Sequence, residues 1–344
     1  MRKGDVPLLL DKYLKALKEF LQDYSSGEIP SDVKYQDVLI SNILQGCIKC
    51  VENFKIRSSC VVGPEKVFVF LPGNVPVVIF QIFPILLIRG VREVFFKFPS
   101  RERSFPGSFL SYVTRNLKNE MEVGGAYLTH EESFRKITGY DFVIAFGGGE
   151  FERALTEVSK PYRFFGPKFS FGVLWNQPEG VTLEKIAFDV LSFDTRGCLS
   201  MRYLFTSQKL DEELLLHAFS KVSKLLPPES DFDIEIAEYE VLKNSLDAVR
   251  ILKGRDFFIL LSNRLIEISS PRTLVIVNID NAEELDSLIS PYRNNIQGIA
   301  SDGYYPEFTS ASHIAVFGNL QFPPCGWYFE KGVTLDNFLE VCNV

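Results

Sequence analysis

From Lys66 onward the chain alternates short runs of β-branched and aromatic residues with longer stretches whose apolar positions recur at helical spacing. A parallel sheet joined by crossover helices reads this way, because strands covered on both faces become near-continuous apolar runs. In the first half the pattern predicts strands over Val67–Leu71, Val94–Phe98, Asp141–Phe146 and Phe169–Leu174. Helices are predicted between them over Pro76–Arg89, Pro106–Lys118 and Glu150–Ser159. The first two open with proline, whose fixed φ suits a first turn, and Pro76–Arg89 closes at Gly90, where a left-handed cap is expected. Together these elements predict a doubly wound domain.

The second half repeats the alternation. A helix over Thr182–Phe193 leads into Asp194-Thr195-Arg196-Gly197-Cys198-Leu199-Ser200. Helices follow near Asp211–Leu225, Glu235–Arg250 and Ala282–Ile289, with strands near Phe257–Ser262, Thr273–Asn278 and Ile314–Phe317. They predict a second α/β domain, and the polar cluster Pro227–Asp233 is a loop inside it. At the amino terminus, charges alternate with Leu, Tyr and Phe at helical spacing, which reads as an amphipathic helix and not a signal peptide. Val67–Ile88 is the most apolar stretch, but Pro72, Gly73, Asn74, Pro76 and Pro84 break it well short of the roughly 20 residues a membrane span needs. No membrane span is expected.

Composition narrows the class. With 344 residues, 46% apolar and 24% charged, the chain can bury two ordinary cores. Its net charge of −7, with no Lys/Arg block, argues against a nucleic-acid partner. Six cysteines (Cys47, Cys50, Cys60, Cys198, Cys325, Cys342) are scattered along it, which predicts reduced thiols and a cytoplasmic location. Cys47 and Cys50 lie in the helically spaced Ile40–Val51 segment and read as packing residues. His130, His217 and His313 share no ligand spacing with each other or with the cysteines, so no metal site is expected.

Four places could carry chemistry. Gly147-Gly148-Gly149-Glu150 lies between a strand and a helix, where bare amides and the helix dipole suit a phosphate, or where a tight turn alone would suffice. Leu71-Pro72-Gly73-Asn74-Val75-Pro76 and Lys97-Phe98-Pro99-Ser100 each end a predicted strand, on the sheet edge where open α/β folds bind ligands. A purely structural role for the first has Asn74 capping the next helix, with Pro76 near its first position. Cys198 follows a predicted helix with Arg196 and Arg202 close in sequence, and neighbouring cations favour a thiolate. A lone cysteine is otherwise a small apolar residue.

The order and approximate spacing of these motifs resemble the aldehyde dehydrogenases. The matching features are Asn-x-Pro opening a helix, Lys-x-Pro-Ser after the next strand, the glycine turn at Phe146–Glu150, Phe-Gly-Pro-Lys-Phe-Ser at 165–170, and Phe193-x-x-x-Gly-Cys198. Within that superfamily, Pro72-Gly-Asn-Val-Pro76 together with Asp194-x-x-x-Cys198 is similar to the bacterial luminescence-type (LuxC-like) acyl-CoA reductases. The resemblance spans about Val67 to Phe205, with a less specific likeness over Gly318–Trp327 and Gly332.

The resemblance implies an aldehyde-dehydrogenase-like fold of two α/β domains. Residues 1–190 would form the nicotinamide cofactor domain, 191–320 the catalytic domain, and 321–344 would pack back near the first. It implies Cys198 as nucleophile, Asn74 as oxyanion donor, and Lys97, Pro99, Ser100, Gly147, Gly148, Gly149, Glu150 and Gly166 as cofactor contacts. The glutamate base of aldehyde-oxidising members is missing, since Phe164-Phe165-Gly166-Pro167-Lys168 occupies the aligned stretch. Without a base to activate water, the acyl-enzyme is suited to exchange with another thiol such as coenzyme A. The expected activity is reduction of an acyl-CoA, fatty acyl as the class, to an aldehyde with NADP, NAD being the alternative. Arg101 and Arg103 either pair with a ribose 2'-phosphate or are solvated loop charges. Expected partners are the acyl-CoA substrate, further copies of the chain, and an acyl-protein synthetase or other acyl-transfer protein. An acyl-phosphate reductase and a non-catalytic binding subunit of the same fold stand as the other readings.

Overall fold

The computed structural model describes residues 5–32, 36–53, 63–118, 120–244, 250–268 and 270–340. It divides into two compact units: residues 1–33, 40–167 and 333–344 form the first, and 34–39 with 168–332 the second. The chain passes from the first unit to the second between 167 and 168, where the resemblance implies 190 and 191. The difference arises because the strand at Phe169–Leu174 pairs within the second sheet. The carboxyl-terminal return to the first unit begins at Val333, not at 321.

The first unit opens with α1 (Asp5–Ser25) and α2 (Asp37–Glu52), the latter beginning in the 34–39 segment of the second unit. It continues through β1 (Lys66–Phe70), α3 (Val78–Ile88), β2 (Glu93–Phe98), α4 (Ser104–Asn116), β3 (Glu122–Tyr127), α5 (His130–Ile137), β4 (Phe142–Phe146), α6 (Gly149–Thr156) and β5 (Tyr162–Phe165). Among the described residues its sheet has five parallel strands in the order β3-β2-β1-β4-β5. Strand order runs outward from β1 in one direction and then returns to continue in the other, which makes the crevice between β1 and β4 the topological switch point.

Aromatic residues fill both faces. Tyr13 and Phe20 of α1 meet Phe80, Phe83, Phe105 and Phe109 of α3 and α4, and Phe83 stacks on Phe96 of β2 at 5.8 Å. The Tyr13 hydroxyl donates to the Phe80 carbonyl at 2.8 Å, so the ring is buried without an orphaned polar atom. On the other face, Phe68 and Phe70 pack with Ile137, Tyr140, Val143 and Leu155. Burial of these large rings is the main stabilising contribution, at about 25 cal/mol per Å² of apolar surface removed from water.

The second unit continues with β6 (Phe169–Leu174), α7 (Gly180–Leu191), β7 (Met201–Thr206), α8 (Glu212–Leu225), α9 (Ile234–Asn244), β8 (Arg250–Lys253), β9 (Phe258–Ser262), β10 (Thr273–Asn278), α10 (Ala282–Ile289), β11 (Ile296–Ser301) and β12 (His313–Ala315). Among the described residues these strands form a seven-stranded sheet in the order β12-β11-β6-β7-β10-β9-β8, parallel except for β8. Phe171, Phe205, Leu260, Val275 and Ile299 contribute to the core against one face. The starts of α8 and α10 are chemically marked, with Asp211 accepting from Glu213 and Leu214 N–H and Asn281 accepting from Glu284 N–H.

Several expectations change. α3 begins at Val78 with Val77 at its N-cap and no side-chain cap, so Asn74 does not cap it and Pro76 lies in the preceding turn. The helix expected over Glu235–Arg250 is present over Ile234–Asn244, residues 245–249 lie outside the described residues, and Arg250 opens an antiparallel strand. β3 has weak sequence signal because Gly124 and Gly125 interrupt it, yet Gly125 is required: a Cβ there would lie 2.5 Å from Leu110 Cδ1 of α4. Gly90 does take the left-handed cap, at φ 75°. Cys50 and Cys325 are each disulfide-bonded, against the expectation of reduced thiols throughout, while Cys47 and Cys198 are free. Spacing along a chain does not reveal which sulfurs meet. Cys60 and Cys342 lie outside the described residues. No described helix is long and apolar enough to cross a membrane.

Candidate active site

Because all five strands of the first sheet are parallel, their carboxyl ends lie on one edge. That edge collects Gly73 and Asn74 after β1, Lys97 near the end of β2, Pro99 and Ser100 after it, Gly147, Gly148 and Gly149 after β4, and Gly166 after β5. Pairing extends past the strand ends, with Leu71 N–H donating to the Lys97 carbonyl at 3.1 Å and Gly147 N–H to Phe165 at 3.3 Å. The turns after β1 and β2 also touch: a Cβ on Gly73 would lie 3.4 Å from Pro99 Cβ, and Arg101 Nη1 donates to the Gly73 carbonyl at 3.3 Å. Arg101 is thus tied to the β1 turn.

Lys97 is half-buried, and that burial, reinforced by the like charge of Arg103, holds its ammonium below the ordinary lysine range. The Arg103 guanidinium lies 3.7 Å over the Tyr127 ring and Lys97 Nζ 5.6 Å from the same ring. Two cations facing one aromatic ring on this edge suit an anion.

Gly148 is the N-cap of α6 and makes no side-chain cap bond. A Cβ added at Gly148 or Gly149 would meet nothing within 4 Å, so packing inside the protein does not require glycine at either position. The open space lets a ligand approach the backbone closely. Glu150 and Glu152 sit in the first turn of α6, where they complement the positive helix end themselves. A phosphate is therefore disfavoured beside this turn, and a hydroxyl-bearing group that donates to a carboxylate suits it.

The second unit supplies the thiol. After α7 the backbone enters a turn in which Phe193, Asp194 and Thr195 all have positive φ, at 50°, 51° and 60°. Each left-handed non-glycine residue costs about 1–2 kcal/mol, so other contacts must hold this turn. Side chains from its own flanks do part of this: Ser192 Oγ donates to Phe188, Thr195 Oγ1 to Val190 and Ser200 Oγ to Ser192, each at 2.7 Å. Buried Gln36 donates to the Leu191 carbonyl and accepts from Phe193 N–H, both at 2.9 Å.

Cys198 follows, a partly exposed residue with a free thiol. Burial of the sulfur pushes that thiol up to about 11, opposed by hydrogen bonds from its own and Leu199 N–H and by the charges of Lys168 and Arg202. Arg196, expected to act on the thiol, instead pairs with Asp231 at 2.8 Å and Glu229 at 3.5 Å. The missed cation is Lys168, which reaches Glu330 at 2.8 Å; it stands in the 165–170 motif, but that motif lies far from Cys198 in the chain and does not signal a contact with the thiol.

Asp189 on α7, fully buried, accepts from Gly318 N–H at 2.7 Å and Leu320 N–H at 3.1 Å, fixing the 318–320 turn. Burial, only partly offset by these bonds, pushes its carboxyl up to about 8. A carboxyl raised in the folded state contributes stability that is complete below the ordinary carboxylate range and is lost as pH rises through about 8. Melting temperature is therefore expected to fall between about pH 4 and 8, and Asp189→Asn to flatten that dependence in thermal melts at each pH. Among the described residues no group of three His, Cys, Asp or Glu could hold a metal.

Residues 36–334 match the family model described as acyl-CoA reductase (LuxC). No curated protein matches the chain by sequence. Among solved structures, a Thermus 1-pyrroline-5-carboxylate dehydrogenase with bound NAD has a TM-score of 0.71 at 12% identity, covering 97% of this chain and 77% of that one. The NADP-dependent glyceraldehyde-3-phosphate dehydrogenase of Bacillus halodurans C-125, complexed with NADP, has a TM-score of 0.70 at 13% identity, covering 98% and 85%. An aldehyde dehydrogenase of Mycobacterium tuberculosis complexed with NAD+ scores 0.68 at 11% identity, covering 90% and 77%. At these identities the likeness establishes the aldehyde dehydrogenase fold.

Proposed function

Since the chain belongs to the acyl-CoA reductase (LuxC) family, we propose that it reduces a fatty acyl-CoA to an aldehyde through an acyl thioester on Cys198, with NADPH as the preferred reductant and NADH as the alternative. The observation that carries this reading is the free thiol of the partly exposed Cys198, just past the left-handed turn at 193–195; the main-chain N–H groups of Cys198 and Leu199 favour its thiolate form. Those donors stabilise negative charge on the sulfur, and once the sulfur is acylated they are available to the carbonyl oxygen.

The Cys198 thiolate bonds to the acyl carbon, and main-chain N–H would hold the oxyanion of the tetrahedral adduct, Asn74 being the amide donor that the resemblance assigns. The bond to the coenzyme A sulfur then breaks, and that thiolate leaves and takes up a proton. A reduced nicotinamide, when bound, supplies hydride to the acyl carbon. The bond between Cys198 and the carbon breaks last, which frees the aldehyde and regenerates the thiolate. The resemblance aligns Phe164-Phe165-Gly166-Pro167-Lys168 with the stretch that carries the water-activating base in aldehyde-oxidising members; no carboxylate stands in it, and the Phe164 ring packs on the core of the first unit. The acyl-enzyme is therefore protected from hydrolysis to a free acid.

For the cofactor, the open space at Gly148 and Gly149 is the feature of this chain that fits. Lys97, Pro99 and Ser100 would hold the adenosine ribose, Gly147, Gly148, Gly149 and Gly166 would line its path, and Glu150 would accept from a ribose hydroxyl. Arg103, paired with Lys97 across Tyr127, suits a 2'-phosphate better than Arg101, which donates to the Gly73 carbonyl. Arg103→Ala is expected to weaken NADPH binding by about tenfold and to leave NADH within about twofold, read by fluorescence titration. Equal losses for both would remove the 2'-phosphate assignment.

The direct test is intact-protein mass spectrometry after incubation with octanoyl-CoA and no reductant. One acyl group mapped to Cys198, with release of coenzyme A, is expected. An acyl phosphate that loads the same residue while acyl-CoA does not would redirect the proposal to acyl-phosphate reduction.

A further inference from the structure

The turn that presents Cys198 is clamped from a distance. Arg272 precedes β10, is fully buried, and itself takes a left-handed conformation at φ 53°. It grips Asp194 twice, with its main-chain N–H on the Asp194 carbonyl at 3.1 Å and its Nη1 on Asp194 Oδ1 at 2.8 Å. The other arms of the guanidinium are engaged as well: Nε donates to the Asp256 carbonyl at 2.9 Å, and Nη2 to the Leu226 carbonyl at 3.1 Å and Ser223 Oγ at 3.2 Å. These partners lie at the end of α8 and just before β9, so the arginine is fixed to regular structure on one side and to the strained turn on the other. The second oxygen of Asp194 accepts from Glu229 N–H at 3.0 Å. Both charged side chains are wholly excluded from solvent.

A sealed ion pair contributes little net stability, because removing both charges from water costs about as much as their attraction returns. Its geometric effect is larger. A planar guanidinium with every arm engaged has one orientation, and it transmits that orientation to the central residue of three that would otherwise leave the left-handed region. The nucleophile lies four residues beyond Asp194, just past the turn.

We propose that Arg272 and Asp194 are positioning residues for the nucleophile, a buried clamp that holds the 193–195 turn in its left-handed form and so fixes the backbone from which Cys198 follows. The assignment rests on Cys198 being the residue that carries the acyl group. Neither member of the clamp touches substrate; they act through the turn.

The test uses the full-length protein with Asp194→Leu and Arg272→Met combined, which removes both charges of the sealed pair; Asp256, whose Oδ1 also reaches Arg272 Nη2 at 3.4 Å, keeps the Ser223 hydroxyl as donor. Asp194→Asn, which keeps the shape and one acceptor, is the second variant. The double variant is expected to melt cooperatively and to bind NADPH within about twofold of wild type, while octanoyl transfer to Cys198 in a single turnover slows by about tenfold to a hundredfold. The pH midpoint for alkylation of Cys198 by iodoacetamide is expected to move by at least about half a unit, because the donors and charges around the sulfur change. Asp194→Asn is expected to show both effects in smaller degree.

Unchanged acyl transfer and an unchanged alkylation midpoint in either folded variant would overturn the clamp. Alkylation reports on the turn without requiring catalysis. Wild type that alkylates but never accepts an acyl group would therefore sink the acyl-enzyme reading, while the midpoint shift would still decide the clamp.

Discussion

Cys198→Ala is expected to lose at least about a thousandfold in acyl-CoA reduction while binding NADPH as well as wild type, because the proposed route has no second nucleophile to form the acyl-enzyme. A pH dependence accompanies it. A thiol pushed up to about 11 carries a thiolate fraction near neutral pH that is about two orders of magnitude below that of a free cysteine. Alkylation of the resting protein is therefore expected to be slow at neutral pH and to climb as pH approaches about 11. Bound acyl-CoA or cofactor must lower that barrier if turnover is to proceed at neutral pH, so pre-incubation with substrate analogue is expected to shift the alkylation profile downward. Reductase activity surviving in Cys198→Ala would remove the covalent mechanism and leave the fold.

Arg272→Met alone is expected to destabilise the protein by about 3–5 kcal/mol, since it leaves the Asp194 carboxylate buried without its cation. Asp194 is already raised by burial, with Arg272 the leading influence that lowers it. Once that influence is gone, the group must take up a proton or unfold the turn. The melting temperature is expected to fall by about 10 °C, on the usual scale for a unit of this size. Adding Asp194→Leu should recover most of the loss, which a mere packing defect at Arg272 would not permit. Differential scanning calorimetry of the two single variants and the double variant forms the cycle that measures it.

The sheet edge and the surroundings of the thiol differ in how far they could be read from the chain. Val67–Leu71, Val94–Phe98 and Phe169–Leu174 announce themselves as strands because both of their faces are covered, and Phe169–Leu174 agrees to the residue with β6. Motifs at the ends of such strands inherit a known edge, so Gly73, Lys97, Ser100 and Gly147 gather without any tertiary information beyond strand order. β3 and α5 escape the same reading. The first contains adjacent glycines, one of which lets α4 approach, and the second is a short polar helix whose Thr129–Glu132 capping box replaces a hydrophobic stripe.

Class of fold, the sheet edge that gathers the glycine and lysine motifs, and the choice of Cys198 as candidate thiol were all written in the order of residues, because strand pattern, glycine turns and motif order are properties of the chain itself. What surrounds that thiol was not. Arg196, only two positions before Cys198, is drawn away to Asp231 and Glu229, whereas Lys168 and Arg202 act on the sulfur and Arg272, 74 residues downstream, holds its turn. Electrostatic and hydrogen-bonding partners are set by distance through space, and a separation of a few ångströms between residues so far apart in the chain exists only once the sheet has closed around them.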